Sequence, residues 1–446
     1  MTDHRSKEME TYTVKRFLKR HRAEIRRYKM LEEAYLNARS VDKGKVADGR
    51  ANNQVRSDWA GYIADMVTDY TIGIATKYGI THDRADDILA TLENSNEDIV
   101  NFELIDDMNV YGVGYEYHYL DERGQFNFIN VSPYNAFVVY DTKLKKSPIG
   151  AVYYETVTVD GVEITKGEWF DSALAHPFEL GADETIKEGE PYEHKINGVP
   201  IIEVKANKRG LSSYEKVISL IDAYNYTLSN NTDDLQSTAN AYLHVQGAND
   251  IKKEDIDRIN RDRVIGFDGN VQYVTKNLQA EVLETHKKSL KTDLLTISKV
   301  PDLSDENFAG DLSGVAIKFK LWSLEQIRSG LVRYFTVLLN KRFQRIIECL
   351  TLKKIPLSEV TKSIDITFTK NMPTNDYETV QMASLLYGKI SQRAFLAMLP
   401  DYIVADVDKE LELEAERIGN VDICNVDSIP KIVEIENGRI DGDMER

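Results

Sequence analysis

Residues 205–247 read KANKRGLSSYEKVISLIDAYNYTLSNNTDDLQSTANAYLHVQG, and the fold turns on how this run is read. Tyr214, Val217, Ile218, Ile221, Tyr224 and Leu228 recur at the spacing of one helix face. The pattern then changes. Ser229 to Asp234 is almost wholly polar, and Leu235 is the one large apolar residue before Tyr242. A single helix over 212–240 would span roughly 43 Å. Its far half has too little apolar surface for a globular core, which predicts a helix that projects into solvent or packs against copies of itself.

The run that follows is short and mixed. Ala241–Val245 and Arg263–Phe267 are strand-like, Ile251–Asn260 reads as a charged helix, and Asp268-Gly269 turns the chain into Val271–Thr275. A unit of this size is too small to fold independently and leans on neighbours. Residues 280–299 return as a helix, so two helices flank the small unit. Val300 to Gly314, VPDLSDENFAGDLSG, is a loop by its proline, glycines and four acids. Residues 314–350 then contain no proline and carry an apolar stripe through Ile317, Leu321, Leu324, Ile327, Leu331, Phe335 and Leu338. A helix over them would be roughly 55 Å long. Trp322, beside Phe319 and near Leu324, reads first as core packing, with burial at a subunit interface as the alternative.

Towards the N-terminus, residues 8–38 read as a basic helix, and 57–78 and 83–111 as two more, with Asp58 and Thr81 as candidate caps. From 112 to 170 the period falls to two. Tyr115, Tyr117 and Tyr119 alternate with Glu116 and His118, and Asp160-Gly161 joins Ala151–Val159 to Val162–Phe170 in a hairpin. This is an antiparallel β region, followed by loops with short strands over 171–200. Ile364–Thr369 is a short strand, 374–417 form two or three helices broken near Pro400, and 418–446 read as an acidic tail. The class is α+β, predominantly helical.

Composition narrows function mainly by exclusion. The 446 residues carry 56 Lys and Arg against 73 Asp and Glu, a formal net charge of −17. Tight, extended nucleic-acid binding needs the opposite balance. The charge is also uneven: residues 1–50 have a basic excess and residues 401–446 an acidic one. No stretch has the length of uncharged apolar residues that a membrane span requires, and the first ten residues lack a secretory apolar core. The two cysteines, Cys349 and Cys424, form no Cys-x-x-Cys pair, which fits a reducing compartment.

Enzyme motifs are missing. There is no phosphate-binding Gly-x-x-x-x-Gly-Lys-[Ser/Thr] loop, Gly112-x-Gly114 lacks its third glycine because position 117 is tyrosine, and no His-Glu-x-x-His pair occurs. The acidic pairs Asp86-Asp87, Asp106-Asp107 and Asp233-Asp234 point about 100° apart on a helix, so solvated faces and caps are the expected roles rather than metal binding. His118, within an alternating strand, reads as a packing or surface residue. No catalytic, cofactor or metal residue is expected.

The run 205–247 and a second one, residues 301–320 (PDLSDENFAGDLSGVAIKFK), together resemble the phage portal family of siphophages of Gram-positive bacteria, and the resemblance extends from about residue 10 to about 417. It implies a portal fold: 1–211 a wing, 212–240 and 279–299 paired stem helices, and 241–278 a clip. Residues 300–312 would be a tunnel loop, 313–372 a long wing helix and strand, and 373–417 crown helices, with 418–446 left over as the tail. It implies a cyclic homo-oligomer, twelve-fold in the virion, forming the channel at one capsid vertex for DNA packaging and ejection. Twelve such chains would carry a formal charge on the order of −200, much screened by counterions. The implied partners are the terminase large subunit, a head-completion adaptor, the major capsid and scaffold proteins, and double-stranded DNA passing without sequence-specific binding, with no membrane. Assembly would take place in the host cytoplasm. Asp302, Asp305, Glu306, Asn307 and Asp311 become the candidate channel residues, and Trp322, Leu228 and Leu235 the candidate subunit contacts. Acids in the loop would keep phosphates at a distance. The competing readings are a non-portal oligomeric scaffold or adaptor and a metal-dependent nuclease.

Overall fold

The computed structural model describes residues 11–44, 51–159, 161–181, 183, 185–239, 242–246, 270–274, 280–304, 314–371, 376–399, 403–404 and 407–419. The expected helix at 251–260, the strand at 263–267, most of the acidic loop and the tail beyond 419 lie outside these residues. The chain divides into two compact units, residues 1–372 and 373–446.

In the first unit, helix α1 (Thr11–Tyr35) and helix α2 (Trp59–Ile72) precede strand β1 (Lys77–Ile80). Asp58 caps α2 by accepting the Gly61 N–H at 3.1 Å, as its position suggests. The single helix expected over 83–111 is instead two, α3 (Ala85–Asn94) and α4 (Glu97–Val110). Asn96 breaks it by taking a left-handed backbone at φ 50°, which asparagine tolerates better than most residues. Thr81 is not a cap: its hydroxyl donates to the Ser363 carbonyl at 3.1 Å, and Arg84 precedes α3.

Two sheets follow. Strands β2 (Val113–Leu120) and β3 (Phe126–Val131) pair antiparallel, and β10 (Ile201–Lys205) pairs with the other side of β2. Strands β4 (Ala136–Tyr140), β5 (Pro148–Val159), β6 (Val162–Phe170), β7 (Leu174–Leu180) and β8 (Ile186–Glu188) make the larger sheet in that order, with β9 (Tyr192–Glu193) also on β7. The hairpin read from Asp160-Gly161 is present, with Gly161 at φ 79°. Residues 171–200 hold more strand than their prolines suggest, seven residues of it in β7.

Helix α5 (Ile218–Ala239) follows a 3₁₀ turn at Glu215–Val217. Beyond it, β11 (Tyr242–Gln246) and β12 (Asn270–Val274) pair antiparallel, and helix α6 (Ala280–Ser298) runs back alongside α5. The two helices share a core at one end through Val217, Ile218, Ile221, Leu294 and Leu295. The long helix expected over 314–350 is α7 (Gly314–Lys320) and α8 (Trp322–Thr351), separated only at Leu321. Helix α9 (Leu357–Ser363) leads to β13 (Ile364–Thr367), which pairs with β1 and ties the end of this unit to its beginning. The second unit contains α10 (Asp376–Leu386), α11 (Gln392–Leu396) and α12 (Val407–Gly419).

The inner face of α8 is not purely apolar. Arg342 is fully buried, and its Nε donates to both Glu116 carboxylate oxygens at 3.0 and 3.1 Å. Its Nη2 also bonds Glu116, and the guanidinium lies 4.1 Å from the Phe128 ring centre. One turn on, Arg345 donates to His118 Nδ1 at 3.0 Å and to the Val199 and Pro200 carbonyls. Glu348 accepts from Asn197 at 2.8 Å. Glu116 and His118 are therefore the inward face of β2, fully buried, and His118 has the packing role expected of it.

Because Arg345 can only donate, His118 Nδ1 accepts, and Nε2–H donates to Glu116. Acceptance at Nδ1 requires the neutral ring. Burial, then the Arg345 charge, lower its pKa to about 4. Burial raises the Glu116 pKa, but Arg342 outweighs it and holds the carboxylate ionised.

Two outcomes are expected. Arg342→Met leaves a buried carboxylate without its partner and destabilises the fold by about 3–5 kcal/mol, read as a lower urea midpoint. If Arg342→Met matches the parent, the cluster is not structural. For His118 the folded pKa lies below the unfolded value of about 6.5. The unfolded state then binds more protons as pH falls from about 6.5 to about 4, and stability drops across that window. His118→Gln should make this drop in melting temperature shallower but not abolish it, because buried His21 is lowered in the same way. An unchanged slope would rule out His118 as a source.

Candidate channel and subunit-contact surfaces

The polar half of α5 has a use that its composition hides. Asn225, Ser229 and Asp233 stand four residues apart and form a stripe on one helix face. The extended segment 51–57 lies along that stripe. Ser57 N–H donates to Asn225 Oδ1 at 2.8 Å, Val55 N–H to Ser229 Oγ at 2.9 Å, and Ser229 Oγ returns a bond to the Val55 carbonyl at 3.1 Å. Asn53 donates through its backbone N–H and its amide to Asp233 Oδ1, at 2.8 and 2.7 Å. Lys43 pairs with the same carboxylate. Ser229 is fully buried. This face of α5 neither projects into solvent nor waits for another copy: the same chain covers it. Asp233 is likewise an anchor rather than a solvated acid, and half-buried Asp107 accepts from Asn130 at 2.9 Å, with loss of solvation raising its pKa to about 7.

The entry to the acidic loop is also anchored. Tyr62 on α2 donates its hydroxyl to the Pro301 carbonyl at 2.8 Å and accepts the Leu303 N–H at 3.3 Å. Lys291 on α6 pairs with Asp302 at 2.7 Å and donates to Ser304 Oγ at 2.9 Å, and its ammonium lies 5.9 Å from the Trp59 ring centre. Asp302 therefore has a neutralising partner. Asp305, Glu306, Asn307 and Asp311 fall outside the described residues.

Beyond the loop, core packing fails for Trp322, which is 62% exposed, while Leu324 two residues on is fully buried. Phe319, one turn earlier, is 76% exposed. Two large aromatics thus stand uncovered at the α7–α8 junction. Ser323 Oγ donates to the Lys299 carbonyl at 2.9 Å and fixes this junction to the end of α6. On α5, Leu235 is 63% exposed and Leu228 is half-buried. Phe319 is the residue that sequence reasoning passed over, because it fits the helix pattern as a core neighbour of Trp322.

No group of three or more His, Cys, Asp or Glu side chains able to hold a metal ion occurs among the described residues. No helix among them is long and apolar enough to cross a membrane.

Asp233→Ala removes the acceptor of Lys43 and of both Asn53 donors. Tryptic cleavage at Arg56 should then accelerate severalfold while the far-ultraviolet spectrum stays unchanged. An unaltered cleavage rate would mean that other contacts hold the segment.

The family model described as phage portal protein, SPP1 Gp6-like, matches residues 14–421. The portal protein of Bacillus phage SPP1 is 23% identical over 403 residues, covering 84% of this chain and 80% of that one. The portal protein of Clostridium phage phiCD119 is 26% identical over 237 residues, 51% of this chain and 50% of its own. Two solved structures align less closely. A chain from the neck of a native GTA particle computed with C12 symmetry has a TM-score of 0.41 at 13% identity, covering 77% of this chain and 90% of its own. A chain from the neck of an empty GTA particle computed with C6 symmetry has a TM-score of 0.44 at 15% identity, covering 77% and 89%. The assignment rests on the sequence relationship over nearly the whole chain, and by it the protein belongs to the SPP1 Gp6-like family of phage portal proteins.

Proposed function

We propose that the chain assembles as a closed ring of identical subunits, twelve in the virion, around a channel that DNA crosses at one capsid vertex. In this reading residues 1–211 and the long α7–α8 helix with its strand make the wing. Helices α5 and α6 make the stem, the β11–β12 region the clip, residues 300–312 the tunnel loop and residues 373–417 the crown. The observation that carries it is the aromatic pair Phe319 and Trp322, left exposed on a long helix whose opposite face is fully packed. Burying an aromatic of this size is worth about 1.5–3 kcal/mol. A head-to-tail neighbour in a closed ring would cover the pair once per subunit.

The role is structural. The ring guides DNA through its channel without hydrolysing anything. The terminase large subunit and later a head-completion adaptor dock on the clip, and the major capsid and scaffold proteins meet the wing. A net charge of −17 per chain suits a conduit, since a basic lining would hold phosphates and slow their passage. Asp302 contributes less to this than a free acid would, being paired with Lys291. The channel charge then falls to Asp305, Glu306 and Asp311, with Asn307 beside them.

Negative-stain microscopy with light scattering tests the reading. Purified protein should give rings with a central hole of roughly duplex width, and Trp322→Asp with Phe319→Ser should shift them to smaller species. A compact monomer or dimer of the parent at every concentration and salt would overturn it.

A further inference from the structure

The larger sheet has two faces of different character. On one, Val152, Tyr154, Trp169, Phe178 and Leu180 pack with Val14, Phe17 and Leu18 of α1. Alternation turns Tyr153, Glu155 and Val157 of β5 to the other face, where Glu168 and Lys166 of β6 stand across from Tyr153 and Glu155. That face is covered at one end only, where Ala151 and Phe170 pack with Val113, Tyr115 and Ile201 of the smaller sheet. At the other end Glu155, Val157 and Lys166 are exposed.

A pocket of about 440 Å³ opens between the covered end and the bare one. The rings of Tyr117, Tyr153 and Phe170 line it, and its two charged lining residues, Glu155 and Glu168, are both acids. The Tyr153 hydroxyl donates to Glu155 at 2.5 Å and the Tyr192 hydroxyl to Glu168 at 2.9 Å, which fixes where both carboxylates point. Neither has a cation within ion-pair distance among the described residues. Lys166, across from Glu155, pairs with Glu179 at 3.5 Å instead. Carboxylates beside aromatic rings make a receptor for a guanidinium or an ammonium.

The matching cations lie on the helix that covers the opposite face of the same sheet. Arg16, Lys19, Ala23 and Arg26 form one stripe of α1, turned away from Val14, Phe17 and Leu18, and all four are exposed. Lys19 and Arg26 have no carboxylate within ion-pair distance among the described residues. The one acid in that span, Glu24, acts on Arg27 and Tyr28 instead. Lys19 and Arg26 are roughly 10 Å apart along the helix, and Glu155 and Glu168 about 8 Å apart across their strands. A closed ring joins two different surfaces of each subunit, and one copy carries both halves of this contact. We propose that the α1 stripe of one copy docks on the bare end of the larger sheet in the next, with Lys19 and Arg26 meeting Glu155 and Glu168 across the interface. The contact rests on the ring reading above and adds a charged pairing to the apolar one of Phe319 and Trp322. Exposed ion pairs contribute little affinity each, so its role is to fix which surfaces meet, like charges excluding a wrong approach.

The test uses two full-length variants, Glu155→Lys with Glu168→Lys and Lys19→Glu with Arg26→Glu. Each alone should raise the concentration at which rings half-assemble by about tenfold or more, because like charges then face each other at every interface. Higher salt should shrink that difference. Mixed one to one, the two should recover parent assembly, since every interface of an alternating ring is again complementary. A third variant, Lys19→Cys with Glu155→Cys, should cross-link between chains with a short bismaleimide beyond what either single cysteine gives. Rings unchanged in both reversals, folded variants that stay dissociated when mixed, or no added cross-link would each overturn this contact. Rings of the parent, read by microscopy, would still stand in all three cases. A parent without rings would overturn the ring reading instead, and the cross-link would then report the contact by itself.

Discussion

Arg342 and Glu116 set the terms on which the first unit is built. A guanidinium and a carboxylate with no exposure to water must meet in good geometry, because either alone would be several kcal/mol out of place. That requirement fixes the long helix against β2 to within a hydrogen-bond length. Arg345 and Glu348, each three residues further along α8, extend the same contact to His118, to the carbonyls of Val199 and Pro200, and to Asn197. Apolar packing around Phe335, Phe343 and Ile346 would tolerate some sliding of the helix. The polar spine does not, since every bond in it has a direction.

The same principle, polar groups used as register marks, governs α5. An apolar stripe can slide along a neighbour by a turn at modest cost. The ladder of Asn225, Ser229 and Asp233 cannot, because each matches one residue of the segment 51–57. The helix is therefore held rigidly where it leaves the core. Its partner α6 carries Lys291, which fastens the start of the acidic loop together with Tyr62.

Exposed and buried aromatics divide the long helix in two. From Leu324 onward its inner positions are filled by the chain's own core, while Phe319 and Trp322 before it find no cover. A monomer has no reason to keep such a pair, and a protein built from repeated copies does.

The sequence by itself determined most of the helices, the antiparallel β region with its hairpin at Asp160-Gly161, the two helices flanking a small β unit, the lack of catalytic spacing and, through two specific runs, the family. These are local or compositional properties, and they survive any arrangement of the elements in space. The break at Asn96 was also written locally, in Asn94-Ser95-Asn96, but helical periodicity on both sides masked it. Tertiary structure alone decided the rest. Alternation marks two faces of β2 but does not say that Glu116 and His118 face inward, because the reason, Arg342 and Arg345, lies more than two hundred residues away. A polar helix face reads the same whether water, a second copy or residues 51–57 cover it. Trp322 fits a core stripe by spacing, and only the course of the surrounding chain leaves it bare. Partners of buried charges and covers of helix faces are long-range facts, and periodicity carries no information about them.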